Sequence, residues 1–504
     1  MKKYIFLTIL SVGVIFACED SLDVTNPNSL TPDNFFSTEA QAISSVNAVY
    51  AGLQANNLYN REYFFLHDLL SDDNQSGGGQ LETSRAQVLL HTFDATNKLT
   101  NDVWRGWYRI ILRANFAIQS LPEAEGISED LRTRLIAESH FMRGLSYFEL
   151  ASLWGGVPIY LEPSVAPGGE PRATEDEVYA LIFSDLDIAE RDLPAKSEYA
   201  AADQGRATRG AAQGIKGKAH MFRGDYAQAK AEFDKIVTSN EYSLVDRWLD
   251  NVEAENENNS ESLFEVQFSL NHGTGGAWSG DGTGVAEITF RSQEYSPVAW
   301  RNVIPSFTMI DAFEDGDPRF GYSFYQIGET FNFGQDTLTA DRIQGNNPDI
   351  SWQKYSWLYK EPNDASRSDI NFRMLRYADV LLMLAEAESE LGNTGVAIGY
   401  LNETRNRADV AMPNYPTAEF PTGNADEIFR AIVHERQVEF GAEQVRNRDL
   451  RRWRRMGYMN NAARFPDGDP LGDRFLDRHD LLPLPVVELD NNRSLSNADQ
   501  NPGW

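Results

Sequence analysis

The densest run of chemistry-bearing side chains lies between Glu435 and Trp453. There Glu435, Glu439 and Glu443 recur at helical i,i+4 spacing among Arg436, Arg446, Arg448 and Arg451. General acid–base chemistry needs two carboxylates, one of them with a raised pKa. Carboxylates at this spacing beside arginines imply the reverse, ion pairs that keep every one charged. The run therefore reads as a structural network rather than a catalytic pair. His434-Glu435 opens like a zinc-protease helix, but position 438 is Val, so the second ligand is missing. The seven histidines are scattered and the chain has one cysteine, which leaves no His/Cys cluster for a metal. Gly280 to Gly284 lacks the Lys-Ser/Thr ending of a phosphate loop. Asp315-Gly316-Asp317 and Asp467-Gly468-Asp469 could touch calcium. Neither continues as an EF-hand loop, so both read as turns. No cofactor is expected.

The aromatic residues point to binding. The chain carries 10 Trp, 20 Tyr and 28 Phe. Trp104, Trp107 and Tyr108 sit at helical spacing among apolar residues and read as core, as do Trp154 and Trp453. Trp278 stands in Gly-Thr-Gly-Gly-Ala-Trp-Ser-Gly, a context without regular packing. Tyr295 and Trp300 flank Pro297, and Trp352, Tyr355, Trp357 and Tyr359 crowd into one short stretch. A flat ring can stack on the C–H face of a pyranose while neighbouring polar groups take the hydroxyls. The other reading is that these rings pin down a long irregular segment, since most aromatics are buried. We expect at least one of Trp278, Tyr295, Trp300 and Trp352 to be a ligand platform.

These residues must be positioned by a mainly helical scaffold. Capping-box spacing at Thr38/Gln41 and Thr174/Glu177 opens two helices. Two more are predicted over about 102–121 and 129–153, and the latter stops at Trp154-Gly155-Gly156-Val157-Pro158. An internal repeat follows: Gly224, Ala229, Phe233 and Ile236 share their offsets with Gly392, Ala397, Leu401 and Thr404. Each glycine can end one helix in a left-handed conformation, and Asp225 or Asn393 can cap the next. Such helix pairs resemble tetratricopeptide units. Residues 240–370 lose the helical period, beginning with a short strand at Leu263 to Phe268. Helix is expected again from Asn371, with Leu375, Ala378, Leu382 and Ala385 on one stripe, and a charged helix over about 426–456. The expected fold is thus mainly α, a tetratricopeptide-like scaffold with a large loop-rich insertion containing short strands. Long loops on a rigid scaffold commonly carry function.

The formal net charge is −30 over 504 residues, which disfavours nucleic acid and anionic membrane as general partners. Lys2-Lys3 and the apolar run Tyr4 to Phe16 form a signal peptide, too short to span a bilayer comfortably. Ala17-Cys18 resembles a lipoprotein cleavage site, making Cys18 the expected lipid-bearing residue. Glu19-Asp20 resembles an acidic surface-export signal.

Five segments together resemble the SusD/RagB family: Ser152 to Pro158, Gly205-Arg206-Ala207-Thr208, Arg376 to Ala387, the charged run from Glu435 to Trp453, and the tail Leu482-Pro483-Leu484-Pro485 with Gln500 to Trp504. Trp504 departs from the usual final Tyr. Their order covers the chain from Cys18 to Trp504. The resemblance implies a helical scaffold (18–240 and 371–504) around a ligand-binding insertion (241–370), after a signal peptide (1–17). It implies a lipid-anchored protein on the outer face of the outer membrane. Such a protein binds oligosaccharide, or peptide in some members, without chemistry, as a lid on a SusC-like TonB-dependent barrel. It also brings in the loop between the first helices, with Asp72, Asp73, Asn74 and Gln75, and Asn97-Lys98, as binding groups. The rival readings are a helical protein-interaction module without a small ligand and a surface glycoside hydrolase.

Overall fold

A computed structural model describes residues 38–163, 168–271, 287–345, 349–364 and 367–504. Cys18 and Trp278 lie outside these described residues. The first half is a run of helices: α1 (Glu39–Tyr50), α2 (Glu62–Leu69), α3 (Thr83–Leu89), α4 (Lys98–Ser120), α5 (Glu129–Trp154), α6 (Glu175–Asp192), α7 (Arg209–Arg223) and α8 (Tyr226–Ser239). α4 packs on α5, α5 on α6, α6 on α7 and α7 on α8. The chain then leaves the stack through short elements. The strands are β1 (Asn74–Gln75), β2 (Ser262–Val266), β3 (Ile304–Pro305), β4 (Phe324–Gln326), β5 (Thr330–Phe331), β6 (Asp336–Thr337), β7 (Ile350–Trp352) and β8 (Phe372–Arg376). Among them lie the one-turn helices α9 (Arg291–Tyr295), α10 (Phe307–Ile310) and α11 (Arg319–Ser323). The stack resumes with α12 (Tyr377–Glu390), α13 (Thr394–Arg405), α14 (Ala425–Phe440) and α15 (Arg446–Arg455), and a short α16 (Val486–Asn491) follows. α12 packs directly on α8, so the scaffold continues as though the intervening chain were absent. No helix among the described residues is long and apolar enough to cross a membrane.

The repeat has the expected physical basis. Gly224 and Gly392 hold φ of 75° and 83°, the left-handed region where a side chain costs about 1 kcal/mol or more. Ala229, Phe233 and Ile236, and Ala397, Leu401 and Thr404, are all buried. Asp225 and Asn393 stand at the next N-termini without accepting a backbone N–H. Asp225 faces His220 and Arg223, and the Asn393 amide donates to Glu388. The Thr174/Glu177 capping box closes reciprocally, whereas Thr38 accepts from the Gln41 backbone without the return bond.

Two predicted boundaries differ. Asn371 opens no helix, because Phe372–Arg376 pairs antiparallel with Ser262–Val266 and closes the stem of the insertion. Leu375 therefore belongs to β8 and not to a helical stripe. The charged helix breaks at Gly441, where Ala442 and Gln444 take φ of 61° and 58°. Lys354 donates to the Gly441 carbonyl at 2.8 Å and Arg291 to that of Ala442, fixing the break from the insertion side.

The end of α5 and the C-terminal tail close on one another. Trp154 Nε1 donates to the Pro483 carbonyl, and the Asn501 amide bridges the carbonyls of Trp154 and Leu482. Trp504 Nε1 donates to Arg478 and Leu481. Asp317 pairs with Arg319 and Asp469 with Arg454.

Candidate glycan-binding site

The loop after α2 builds one wall of the site. Its β1 pairs with β3, Asn74 opposite Pro305 and Gln75 opposite Ile304. Beyond β1, the N–H groups of Gly77 and Gly78 both donate to the Arg301 carbonyl, at 3.1 and 2.8 Å. This approach requires glycine, since a Cβ on Gly78 would stand 2.1 Å from the Trp300 carbonyl oxygen. Gly345, at φ 80°, is pressed equally hard against Gly77, 2.0 Å from a Cβ to its carbonyl oxygen. The Gln344 N–H donates to Pro297 at 2.9 Å, and Arg301 Nη1 donates back to the Gln344 carbonyl at 2.6 Å.

Three chain segments thus converge on a hollow of about 330 Å³. Trp300 presents a partly exposed ring there, beside Gly78, Gln80, Gln293, Gln344 and Asp364. The Trp300 backbone N–H is anchored on Gln293 at 3.0 Å, and the Arg61 guanidinium stands 5.5 Å from the ring centroid. Arg61 is paired with Glu294 at 2.6 Å, and Glu294 in turn accepts from the Asn302 amide at 2.7 Å. Asp364 accepts from Ser292, from Ser356 at 2.9 Å and from the Trp357 N–H at 3.2 Å. Burial raises its pKa, and those donors only partly offset the effect. A ring face among amides offers stacking plus paired donors and acceptors.

Four of the predicted binding residues face inward instead. Tyr295 is fully buried, its hydroxyl donating to Asp68 and accepting from Gln444. Trp352 is fully buried in β7, packed on Phe324 and donating from Nε1 to Asn74 Oδ1 at 2.8 Å. Asn74 is consumed by that bond, and Asp73 accepts from Gln437 at 2.8 Å. Tyr295, Trp352, Asp73 and Asn74 therefore hold the wall in place, and their burial denies a ligand access. Asp72 pairs with Arg446, Asn97 caps α4, and Lys98 pairs with Asp102. Trp300 alone of the described platform candidates reaches the hollow. Gln80, Gln293, Gln344 and Asp364 were not singled out from the sequence. They come from segments far apart in the chain, with only the Gly77-Gly78-Gly79 run to hint at a close approach.

The glutamate run is inaccessible. Glu435 is held by Arg319 and Arg405, Glu439 by Arg376, Arg407 and Arg319, and Glu443 by Arg376 and Lys354. Burial alone would raise their pKa values, but these cations more than offset it and hold all three below the usual range. The ion-pair reading stands with different partners. Arg436 serves Asp379 and Asp449, and Arg448 serves Glu149, while Arg451 donates to the backbone of His479 and Asp480.

The helical stack carries an insertion of short strands, and the hollow lies between the loop after α2 and that insertion. Residues 260–504 match the family model described as SusD family, and residues 20–220 match one described as starch-binding associating with outer membrane. The chain belongs to the SusD/RagB family. It is 27% identical to SusD-like protein P2 of Formosa agariphila across the whole of both chains. It is 25% identical to the starch-binding protein SusD of Bacteroides thetaiotaomicron, over 76% of this chain and 75% of that one. Its fold superposes on a SusD superfamily protein of Bacteroides vulgatus with a TM-score of 0.76 at 25% identity, covering 93% of this chain and all of the other.

The Gly78 contact gives a test of the wall. Gly78→Ala would place a methyl carbon against the Trp300 carbonyl and force the loop off its partner. We expect ligand affinity to fall at least tenfold while helical circular dichroism is unchanged. Retained affinity would show that the loop is not part of the site.

Proposed function

We propose that this chain is a surface glycan-binding lipoprotein that captures oligosaccharide and passes it to a SusC-like TonB-dependent transporter. Cys18 carries the lipid that tethers it to the outer membrane. The scaffold segments 18–240 and 371–504 carry the insertion 241–370, which supplies most of the ligand contacts. The observation that supports this reading is the Trp300 ring, partly exposed at a hollow edged by three glutamines and braced from behind by Arg61. A stacked sugar is held by shape and its bonds are left intact: Asp364 is the one carboxyl among the described lining residues, it is engaged by Ser292, Ser356 and the Trp357 N–H, and acid–base chemistry would need a second. The starch-binding description matched by residues 20–220 supports the glycan class. Trp278 remains a sequence-based candidate for a second ring.

Trp300→Ala tests this. On a glycan panel that retains the wild type, we expect a tenfold or greater loss, about 1.4 kcal/mol, with the melting temperature little changed because the ring is only partly buried. Equal retention of both proteins would remove the hollow from the binding site. Recovery of a barrel partner by a protein that retains no glycan would favour the protein-interaction reading.

A further inference from the structure

We infer that the Trp300 hollow selects uncharged, hydroxyl-rich sugar units and rejects units bearing carboxylate or sulfate groups. This rests on the proposal that the hollow binds glycan and adds which glycans it admits. Among the described lining residues, Asp364 is the one ionisable side chain. Gln80, Gln293 and Gln344 each carry a donor and an acceptor on one amide, the pairing that vicinal hydroxyls require. An anionic group needs cations or several converging N–H donors to replace its water.

The cations near the hollow are committed elsewhere. Arg61 lies behind the ring in its pair with Glu294. Arg301 is fully buried and donates to Ser351 Oγ at 2.9 Å and to the carbonyls of Gln344 and Ile350. Both are walled from a ligand by the ring and by backbone. Arg367, three residues past Asp364, is exposed and is not among the lining residues. The backbone N–H groups of Gly77 and Gly78, which could otherwise cradle an anion, are spent on the Arg301 carbonyl. An anionic unit stacked on Trp300 would thus meet amides and a carboxylate on a chain of net charge −30. That field repels it at low ionic strength.

A glycan array bearing neutral glycans and acidic ones (uronates and sulfated polymers) separates the outcomes, probed with wild type, Trp300→Ala and the rim variant Gln344→Arg. If the inference holds, every glycan retained by wild type and lost by Trp300→Ala is uncharged. A C6-oxidised counterpart of any retained glucan would bind at least tenfold more weakly at low salt. Gln344→Arg would narrow that gap by raising the affinity for the oxidised glucan. Retention of any uronate or sulfated glycan through Trp300 would overturn the inference and leave the proposed function intact. An array without any Trp300-dependent binding would overturn both.

Discussion

Arg376→Met should be the most damaging single substitution in the chain away from the hollow, lowering stability by roughly 3–5 kcal/mol. The guanidinium is 1% exposed and serves three carboxylates at once. It donates to Glu261 and Glu439 at 2.7 Å each, and to Glu443 at 2.8 and 3.0 Å. A fifth bond reaches the Glu439 carbonyl at 3.0 Å. Methionine keeps much of the volume but none of the charge, so three buried acids lose a shared partner while Arg407, Arg319 and Lys354 still serve them. Removing one partner of a buried ionic group costs far more than the pair contributes, because the remaining charge stays desolvated. Arg376 also ends β8 and faces Ser262 of β2, so the same bonds tie the stem of the insertion to α14. Urea unfolding should show the loss directly. Limited proteolysis should cut the insertion faster than the helical stack. A change below 1 kcal/mol would mean that the arginine is dispensable to the network.

Four of the five family segments turn out to be parts of this network and of the tail closure, and the fifth, Gly205 to Thr208, opens α7 with Arg206 held by Glu138 and Asp203; none of them lines the hollow. Arg376, Glu435, Glu439 and Arg452 could be noticed because charge dense enough to need a partner is unusual in apolar surroundings. Their partners could not be named, because Arg319, Arg407 and Glu261 approach from across the fold. The repeat was readable for a local reason: a left-handed glycine and a small alanine leave their mark within one helix pair. The break at Gly441 left no such mark. Ala442 and Gln444 are ordinary helix residues, held in left-handed backbone by Lys354 and Arg291. Asn371 failed for the same reason, since the register of β8 is set by residues 262–266.

The aromatic set divided along a line that composition does not carry. An irregular stretch with glycine and asparagine looks unable to bury a ring. Yet Trp352 is sealed by the short β4–β7 pair and by Phe324, and Tyr295 by Phe64 and Asp68. Trp300 differs in having its backbone N–H held by the Gln293 carbonyl and its own carbonyl pressed against Gly78, which leaves the ring at the rim. Irregular backbone thus marked where a ring could stay exposed, and tertiary pairing decided which ring reaches the hollow.

Acid should unfold this protein over a narrow window, beginning below pH 4 and steepening toward pH 2. Burial alone would raise the carboxyl pKa of Asp379, but Lys218 and Arg436 outweigh it and bring the value down to about 2. Glu439, Glu435, Glu443, Glu261 and Asp449 are likewise buried, and their arginine partners hold each below the usual range. A carboxylate depressed in the folded state contributes stability above its unfolded pKa and loses it as pH falls through its folded value. The buried histidines act in the same direction. Burial, aided by Arg451, lowers His67 to about 3 and His91 to about 4, so the unfolded chain takes up protons that the folded chain refuses. Other carboxyls oppose this only at higher pH. Asp68 is raised to about 6 by burial, Asp73 to about 7 by burial and by Asp72, and Glu149 and Glu257 to about 8 by burial. All four are already protonated in folded and unfolded chains once pH is well below 4, so they add no slope there. Every remaining shift then has one sign, at about 1.4 kcal/mol per pKa unit for each group. The urea midpoint should therefore fall steeply below pH 4 in wild type. In Arg376→Met the fall should be shallower, because Glu439 and Glu443 lose a cation that holds them ionised. A midpoint constant from pH 4.5 to 3, or an equal slope in the variant, would show that the buried carboxylates are not charged in the folded protein.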